Sequence, residues 1–321
     1  MDESANDATA PTPRDARRAP RRWRSSVLAL SIAAILPLAS LASDRDAGGP
    51  PRAAGPLEDA TGPWREQGHW VPVDGTDRLI FMRLCRPRGD DLARLVVFSH
   101  GSPPVAADRE RYAALRCEAP VARWFLERGL AVAAPLRRGF GLSGGEFSEG
   151  NGPCRQPDFL HAARESARDI LSAVAYARLL PGIRQDGVVL AGQSAGGWGS
   201  LGAAAANPQA VVAVINMAGG RGGWADNVPN SNCRPDLLAR AAGALGETAR
   251  VPSLWVYTEN DSFFAPGLAA EMHARFAAAG SPAEFHALPA FGRDGHGLFV
   301  ARDGASVWGP VVEAFLAGAL R

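Results

Sequence analysis

The feature that most constrains the fold is an alternation of short apolar runs, rich in valine, with longer segments rich in alanine. The short runs are typical of strands buried on both faces, and the longer segments are typical of helices. Strands are predicted at 69–73, 78–84, 94–99, 130–134, 187–192, 211–217, 251–257 and 283–288. Helices are predicted near 120–128, 162–180, 195–206, 235–245, 266–279 and 305–319. Since crossover helices join parallel strands, the pattern indicates an α/β domain with a mostly parallel, eight-stranded sheet flanked by helices on both faces.

The N-terminal segment has the composition of a targeting sequence. Residues 27–43 form an apolar run that follows an arginine-rich stretch, and a secretory signal peptide has this arrangement. We therefore expect a signal peptide at 1–43 and an exported protein, periplasmic or extracellular; the alternative is an uncleaved membrane anchor at 27–43. Residues 44–63, rich in glycine, proline and charge, are expected to be a disordered leader. The folded domain is then predicted at 64–321.

Charge and composition exclude several classes of function. The formal net charge is +1, and no basic stripe marks a surface for nucleic acid or anionic lipid. We therefore expect no nucleic-acid partner, and membrane contact only through an uncleaved N-terminal segment. The chain contains no lysine, which excludes Schiff-base chemistry, the P-loop lysine and the Ser–Lys dyad. The oligomeric state is left open.

The cysteine count points to disulfide bonds. The chain has four cysteines, Cys85, Cys117, Cys154 and Cys233, and an even number in an exported chain favours disulfides, with three possible connectivities. We favour Cys154 with Cys233, because both lie in loops expected to flank one site; free buried thiols are the alternative. There is no C-x-x-C pair, so we predict no zinc or other metal site.

Two glycine patterns imitate a dinucleotide fingerprint, which must open directly after a strand and lead into a helix. The first, at Gly197, Gly199 and Gly202, begins inside a predicted helix. Small residues there are expected to let this helix pack closely on the sheet. The second, in "RRGFGLSG", follows a strand but leads into no helix. Neither pattern therefore indicates a nucleotide cofactor.

The stretch "VVLAGQSAGGWGS" contains the motif G-x-S-x-G around Ser194, after a predicted strand and before a predicted helix. This is the strand–turn–helix context of a nucleophile elbow. The glycines two residues either side, Gly192 and Gly196, allow a sharp turn because they have no Cβ atoms. The turn also places the serine at a helix N-terminus, which favours a developing negative charge. The motif therefore predicts that Ser194 is a nucleophile.

A serine nucleophile needs a base, and the base needs an acid. In an elbow enzyme the acid and then the base follow the serine along the chain. Of the three histidines after Ser194, only His296 lies in a predicted loop, whereas His273 and His286 lie in predicted helix and strand. Asp261, just past a strand end in "YTENDSFF", is the predicted acid, with Glu259 as the alternative. An aspartate in this role orients the imidazole and stabilises imidazolium.

An oxyanion hole needs the N–H group after the nucleophile and a second N–H from the loop after an earlier strand. The first is predicted to come from Ala195. The second is predicted to come from Ser102 in "SHGS", with Gly101 allowing close approach. His100 is expected to shape the turn rather than to take part in chemistry.

The motifs "SHGS", "RRGFGLSGG", "GQSAGGWG", "YTENDSFF" and "DGHGLF" occur in an order that resembles the α/β-hydrolase superfamily, and most closely its dienelactone-hydrolase-like branch. The resemblance covers roughly residues 70–320 and implies an α/β-hydrolase fold without a cofactor. It also implies the roles assigned above to Ser194, Asp261 and His296. Dienelactone hydrolase has a cysteine nucleophile, whereas position 194 is serine. The resemblance therefore implies ester hydrolysis but not that particular substrate.

These observations predict an exported serine hydrolase that cleaves small-molecule carboxylic esters through an acyl-enzyme. The connection 218–234 is too short for a large cap domain, so we expect an open site. Its predicted borders are aromatic: Phe140, Trp198, Trp224, Phe263 and Phe264. The alternatives are a serine peptidase of the same fold and a non-catalytic binding module. The acyl and alcohol preferences are left open.

Overall fold

A computed structural model describes residues 53–321 of the chain. These residues form one nine-stranded sheet. The strands are β1 (Gly55–Pro56), β2 (Gln67–Pro72), β3 (Leu79–Cys85), β4 (Arg94–Ser99), β5 (Leu130–Pro135), β6 (Val188–Gln193), β7 (Val211–Met217), β8 (Ser253–Thr258) and β9 (Ala283–Leu288). Their order across the sheet is β1-β2-β3-β5-β4-β6-β7-β8-β9. Strands β1, β2, β3 and β5 pair antiparallel in succession, and every pair from β5 to β9 is parallel.

Helices cover both faces of the sheet. They are α1 (Pro120–Leu126), α2 (Phe159–Ala177), α3 (Ala195–Ala205), α4 (Pro235–Gly246), α5 (Pro266–Ala278) and α6 (Ala305–Ala319). Side chains of α2 to α5 form one core with one face of the strands, and those of α1 and α6 form a second core with the other face. Neighbours along a strand alternate between the two cores: Val188 and Leu190 belong to the first, and Val189 and Ala191 to the second. This two-sided burial is the reason that the strands are apolar throughout.

All eight predicted strands and all six predicted helices are present, with ends that differ by a few residues at most. The fold class is confirmed. The ninth strand was not predicted, and it corrects the part of the predicted disordered leader that the structure describes, residues 53–63. Gly55–Pro56 pairs with His69 and Trp70, and Thr61 forms a bridge with Glu66. Backbone hydrogen bonds to a neighbouring strand at the edge of the sheet order this segment, although its composition is typical of disorder. The predicted signal peptide at 1–43, the alternative anchor at 27–43 and the start of the leader lie outside the described residues.

Two disulfide bonds connect the loops, and within residues 53–321 no cysteine is free. Cys85–Cys117 joins the end of β3 to the segment before α1. Cys154–Cys233, the predicted pair, joins the β5–α2 connection to the β7–α4 connection. Neither connection contains a domain-sized cap. None of the helices described here is long and apolar enough to cross a membrane.

Candidate active site

Ser194 lies between β6 and α3 in a sharp turn, with φ 55° and ψ −121°. A positive φ is unfavourable for a residue with a side chain and is retained where the surroundings enforce it. Here the surroundings are close backbone approaches. A Cβ atom on Gly192 would collide with the Gly196 carbonyl, and one on Gly196 would collide with the carbonyls of Ser99 and His100. Both glycines are therefore required for the turn that presents Ser194, as predicted.

The remaining glycines of this stretch correct the prediction that they let α3 pack closely on the sheet. Gly199 and Gly202 face α2 rather than the sheet: a Cβ atom on Gly199 would lie 2.6 Å from the Ser166 Cβ, and one on Gly202 2.6 Å from the Ala163 carbonyl oxygen. Gly197 alone approaches the sheet, at the Asn216 side chain of β7. The small residues thus bring two helices together, which fixes the direction in which α3 leaves the elbow.

His296 and Asp261 are brought together, although they are 35 residues apart in the chain. The imidazole Nδ1 lies 3.0 Å from Asp261 Oδ1 and 3.1 Å from Oδ2. Asp261 Oδ1 also accepts the N–H groups of Phe263 and Phe264, at 2.8 and 2.9 Å. The carboxylate is almost fully buried, and a buried charge with this many donors is held in one orientation. The contact is the one that the predicted acid and base require.

The alternatives for acid and base lie elsewhere. Glu259 is exposed to solvent. His286 is on the edge strand β9, with a side chain that is 42% exposed and lies 3.9 Å from Glu284. His273 is in α5, where its Nε2 lies 3.2 Å from the Ala283 carbonyl oxygen. None of these three side chains forms a hydrogen bond or an ion pair with Asp261 or His296.

The His296 ring lies in an aromatic stack. Phe263 stacks on the imidazole, with a centroid distance of 4.1 Å and an interplanar angle of 26°. Trp224 in turn stacks on Phe263 at 5.0 Å, and its indole N–H donates to the Ser262 carbonyl at 2.8 Å. Phe264 adds a tilted contact to the imidazole at 5.7 Å. The stack limits rotation of the ring that Asp261 orients.

The elbow and the His296 loop are joined directly through Gln193, the residue before the serine. Its Nε2 donates to the His296 carbonyl oxygen at 2.8 Å. Within the described residues, no hydrogen bond joins the Ser194 hydroxyl to the imidazole. Such contacts are often long in unliganded enzymes and tighten when substrate binds. Ser194 and His296 are both largely buried, with 9% and 8% of their surfaces exposed.

The two predicted oxyanion donors are Ala195, which follows Ser194 directly, and Ser102, which lies in the loop after β4. Ala195 opens α3, where the first N–H groups have no acceptor within the helix. Gly101 lies against the elbow: a Cβ atom there would lie 3.4 Å from the Ser194 Cβ. Ser102, the second predicted donor, follows directly and is partly exposed. The loop after β4 therefore passes beside the nucleophile, as an oxyanion loop must.

His100 shapes this loop, as expected. Its Nδ1 lies 2.7 Å from the Gly101 carbonyl oxygen, and its Nε2 accepts the Arg137 N–H at 3.2 Å. The ring packs against Tyr112 and Phe140. Burial, assisted by the Arg137 charge, lowers the pKa of His100 to about 3. A neutral imidazole with one donor and one acceptor nitrogen satisfies both contacts.

A buried ion cluster lies behind this loop, and the sequence reasoning missed it. Arg137 makes a bidentate pair with Glu149, at 2.6 and 3.0 Å, and its Nη1 donates to Ser99 Oγ and to the His100 carbonyl oxygen. Arg221 lies 3.0 Å from the same carboxylate. Burial alone would raise the pKa of Glu149, but the two guanidinium groups outweigh it and hold the pKa well below its ordinary value. The only signal in the sequence is that two long loops, 135–161 and 218–234, supply these residues.

The structure places the five predicted aromatic borders in different surroundings. Phe263 is partly exposed and Phe264 is buried, and both contact His296, whereas the partly exposed Trp224 contacts Phe263. Trp198 is wrong as a pocket wall, because its side chain, on α3, is fully buried in the core and its indole N–H donates to the Phe159 carbonyl. Phe140 is also fully buried, behind His100. The position of a large aromatic residue near a glycine-rich motif does not indicate whether its side chain faces the site or the core.

Among residues 53–321, no group of three or more His, Cys, Asp and Glu side chains is arranged to hold a metal ion. Three cavities of this part of the chain have linings that do not include Ser194. One of about 550 Å³ is lined by the glycine-rich segment of the β5–α2 connection and by Arg78, His161 and Glu165. A small hollow touches His296 from the side of β7 and β8. The candidate site is therefore defined by its side-chain geometry rather than by cavity size.

Comparison with known proteins supports the fold. No protein-family model and no curated protein matches the chain. Among solved structures, the chain is similar to an esterase of Pyrococcus furiosus, with 13% identity, a TM-score of 0.55 and coverage of 85% of this chain and 100% of that one. An esterase of Butyrivibrio proteoclasticus gives 15% identity, a TM-score of 0.52 and coverage of 79% and 99%.

The acylaminoacyl peptidase of Pyrococcus horikoshii gives 15% identity and a TM-score of 0.56 over 81% of this chain. The chain spans 42% of the length of that peptidase. The three structures agree in fold, though each shares little sequence with this chain. The sheet order, the elbow and these similarities together show that residues 53–321 have the α/β-hydrolase fold.

Proposed function

We propose that this protein is an exported serine hydrolase that cleaves carboxylic esters through an acyl-enzyme intermediate. The observation that carries the proposal is the contact between His296 Nδ1 and the buried carboxylate of Asp261, beside a serine on a positive-φ elbow. A nucleophile, an oriented base and a buried acid are the three groups that this chemistry needs.

In the proposed reaction, the Ser194 hydroxyl attacks the ester carbonyl while His296 Nε2 takes its proton. Asp261 stabilises the imidazolium and keeps the ring oriented. The N–H groups of Ala195 and Ser102 stabilise the oxyanion, which typically contributes about 2.7–4 kcal/mol per donor. His296 returns the proton to the leaving alcohol. Water, activated by the same imidazole, then releases the acid and regenerates Ser194.

Esters are favoured over peptides by the extent of the structural similarities. The chain resembles two esterases over 100% and 99% of their lengths, but it covers 42% of the acylaminoacyl peptidase. That peptidase nevertheless supports a second candidate, a serine peptidase with the same triad. The proposed export is supported by two disulfide bonds within residues 53–321, because such bonds persist in oxidising compartments.

Fluorophosphonate labelling tests whether the site is catalytic. We expect stoichiometric labelling of Ser194 in the folded protein, and none in Ser194→Ala. Ser200→Ala is a matched control, since Ser200 is a buried hydroxyl in the same helix, bonded to the Gly196 carbonyl. A folded wild-type protein that never labels at Ser194 would refute the enzyme and favour a non-catalytic binding module.

A substrate panel separates the two candidate reactions. We expect turnover of p-nitrophenyl esters with short and aromatic acyl groups, and kcat/KM values at least a hundredfold lower for the matching aryl amides. Faster cleavage of N-acylated amino-acid amides than of the esters would favour the peptidase. Labelling without turnover of any ester would contradict the proposed ester substrate but not the nucleophile.

A further inference from the structure

Asp294 lies two residues before His296, in a loop where the sequence predicts a solvent-exposed carboxylate. The structure gives it a specific set of partners. Its Oδ1 accepts the N–H of His296 at 3.0 Å and the N–H of Ser262 at 3.1 Å. Its Oδ2 accepts the Ser262 hydroxyl at 2.6 Å. One carboxylate therefore joins the loop that carries the base to the loop that carries the acid.

These loops are the acid loop, residues 259–264 after β8, and the base loop, residues 289–297 after β9. Besides Asp294, the side chain of Asn260 joins them, with its Oδ1 accepting the Phe291 N–H at 2.9 Å. Burial alone would raise the pKa of Asp294, but the hydrogen bonds donated by Ser262 and by the His296 N–H outweigh it and lower that pKa. The carboxylate is thus ionised and strongly bonded at neutral pH.

The position of Asp294 in the network determines what it can control. The His296 carbonyl oxygen is held by Gln193 from the elbow, and its Nδ1 by Asp261. The remaining main-chain group, its N–H, is held by Asp294. Without the Asp294 carboxylate, the base loop would keep its bond to Gln193 of the elbow and its bond to Asn260 of the acid loop but lose its bonds to Ser262, next to Asp261.

We propose that Asp294 is a positioning residue, which fixes the His296 imidazole between Asp261 and Ser194 by locking the base loop to the acid loop. This inference rests on the proposed function. The carboxylate touches neither substrate nor the reacting atoms, so it acts through the placement of His296. Misplacement of a catalytic group by about 1 Å can reduce turnover by about a hundredfold.

Two substitutions at this position separate geometry from charge. Asp294→Asn keeps an oxygen that can accept both N–H groups, and its amide can donate to the Ser262 hydroxyl. Asp294→Ala removes every bond. We expect kcat for p-nitrophenyl acetate to fall about 10- to 100-fold in Asp294→Ala with KM within about twofold, and to recover to within about threefold of wild type in Asp294→Asn. Asp303→Asn, an exposed aspartate farther along the same connection, is the control and should match wild type.

A proton NMR spectrum gives a readout that simple destabilisation would not change. The His296 Nδ1–H bonded to Asp261 should resonate far downfield in wild type and in Asp294→Asn, and should be lost or shifted in Asp294→Ala. If Asp294→Ala does not fold, Ser262→Ala, which removes the bond to Oδ2 and the 3.2 Å bond that the hydroxyl accepts from the Trp224 indole N–H, should lower kcat alone by a smaller factor.

The outcomes are distinct. Unchanged kcat in a folded Asp294→Ala overturns the inference, and so does an equal loss in the Asn and Ala variants. A parallel rise in KM and fall in melting temperature without a change in kcat also overturns it. Failure of the wild type to label at Ser194 refutes the proposed function instead.

Discussion

The two sides of the candidate site are held by different physical means. On one side, the acid and base loops are joined by hydrogen bonds between residues close to the surface, such as Asp294 with Ser262. On the other side, the oxyanion loop is held from behind by a fully buried ion cluster, in which Glu149 lies between Arg137 and Arg221. Short loops hold His296, the proposed base, while the buried cluster holds the loop that carries Ser102, the proposed oxyanion donor.

The two sides of the candidate site should therefore respond differently to substitution. Removing a surface hydrogen bond leaves groups that water can satisfy, so the fold survives and the chemistry changes. Removing one member of a buried ion cluster leaves an uncompensated charge, so the fold itself is weakened. Substitutions on the first side should therefore affect turnover, and those on the second side should affect stability.

The largest effect should come from the base. His296→Ala should reduce kcat for esters by about 10⁴-fold or more, because the serine loses the group that removes its proton. The melting temperature should change little. His286→Ala is the matched control, since His286 is a half-exposed residue on an edge strand. Loss of activity in the control with retention in His296→Ala would show that the base has been assigned to the wrong histidine.

On the other side, Glu149→Gln should destabilise the protein by about 3–5 kcal/mol, because Arg137 and Arg221 would remain buried without a counter-charge. Urea unfolding monitored by circular dichroism measures this loss. Glu146→Gln removes an exposed carboxylate three residues away in the same loop and should be within about 0.5 kcal/mol of wild type. Equal stability of the two variants would show that the cluster contributes nothing.

The two disulfide bonds allow a further comparison of contributions to stability. Cys154–Cys233 closes a longer loop than Cys85–Cys117, with separations of 79 and 32 residues. Loop-closure entropy then predicts a loss of roughly 4 kcal/mol for each pair when replaced by alanine, larger by about 0.8 kcal/mol for Cys154–Cys233. Because Cys233 precedes α4 at the end of the loop that carries Arg221, this variant should also lower kcat. A greater loss from the Cys85–Cys117 replacement would contradict the loop-entropy reasoning.

The smallest effect is in the dependence of stability on pH. The folded pKa of Glu149 lies below its ordinary value of 4.5, so the unfolded chain binds the proton more readily. Stability from this group is complete above about pH 4.5 and declines as the pH falls toward the folded value, by about 1.4 kcal/mol per pH unit. Urea unfolding between pH 3 and 5 should show this slope in wild type, and Glu149→Gln should lack that contribution. An identical slope in both proteins would assign the acid sensitivity to other carboxylates.

Much of the site could be read from residue order. The elbow is visible because Gly192 and Gly196 are required by local backbone contacts, and a local requirement leaves a local pattern. Asp261 and His296 are visible because each follows a strand, and the ends of parallel strands converge at one edge of the sheet. Trp198 and Phe140 were misassigned because the direction of a side chain depends on packing partners distant in the chain. Asp294 has no pattern at all, since its role depends on where Ser262 lies.

For this chain, the alternation of valine-rich and alanine-rich segments was sufficient to predict eight strands, six helices and the class of fold, because secondary structure follows from periodicity and two-sided burial. Sequence could not predict the paired Gly55–Pro56, the buried cluster around Glu149, or the loop-to-loop bond of Asp294. Each of these depends on partners that are far apart in the chain and meet only when the sheet has assembled. The candidate site residues can therefore be predicted from the sequence, whereas the contacts that hold them in place are determined only by the tertiary structure.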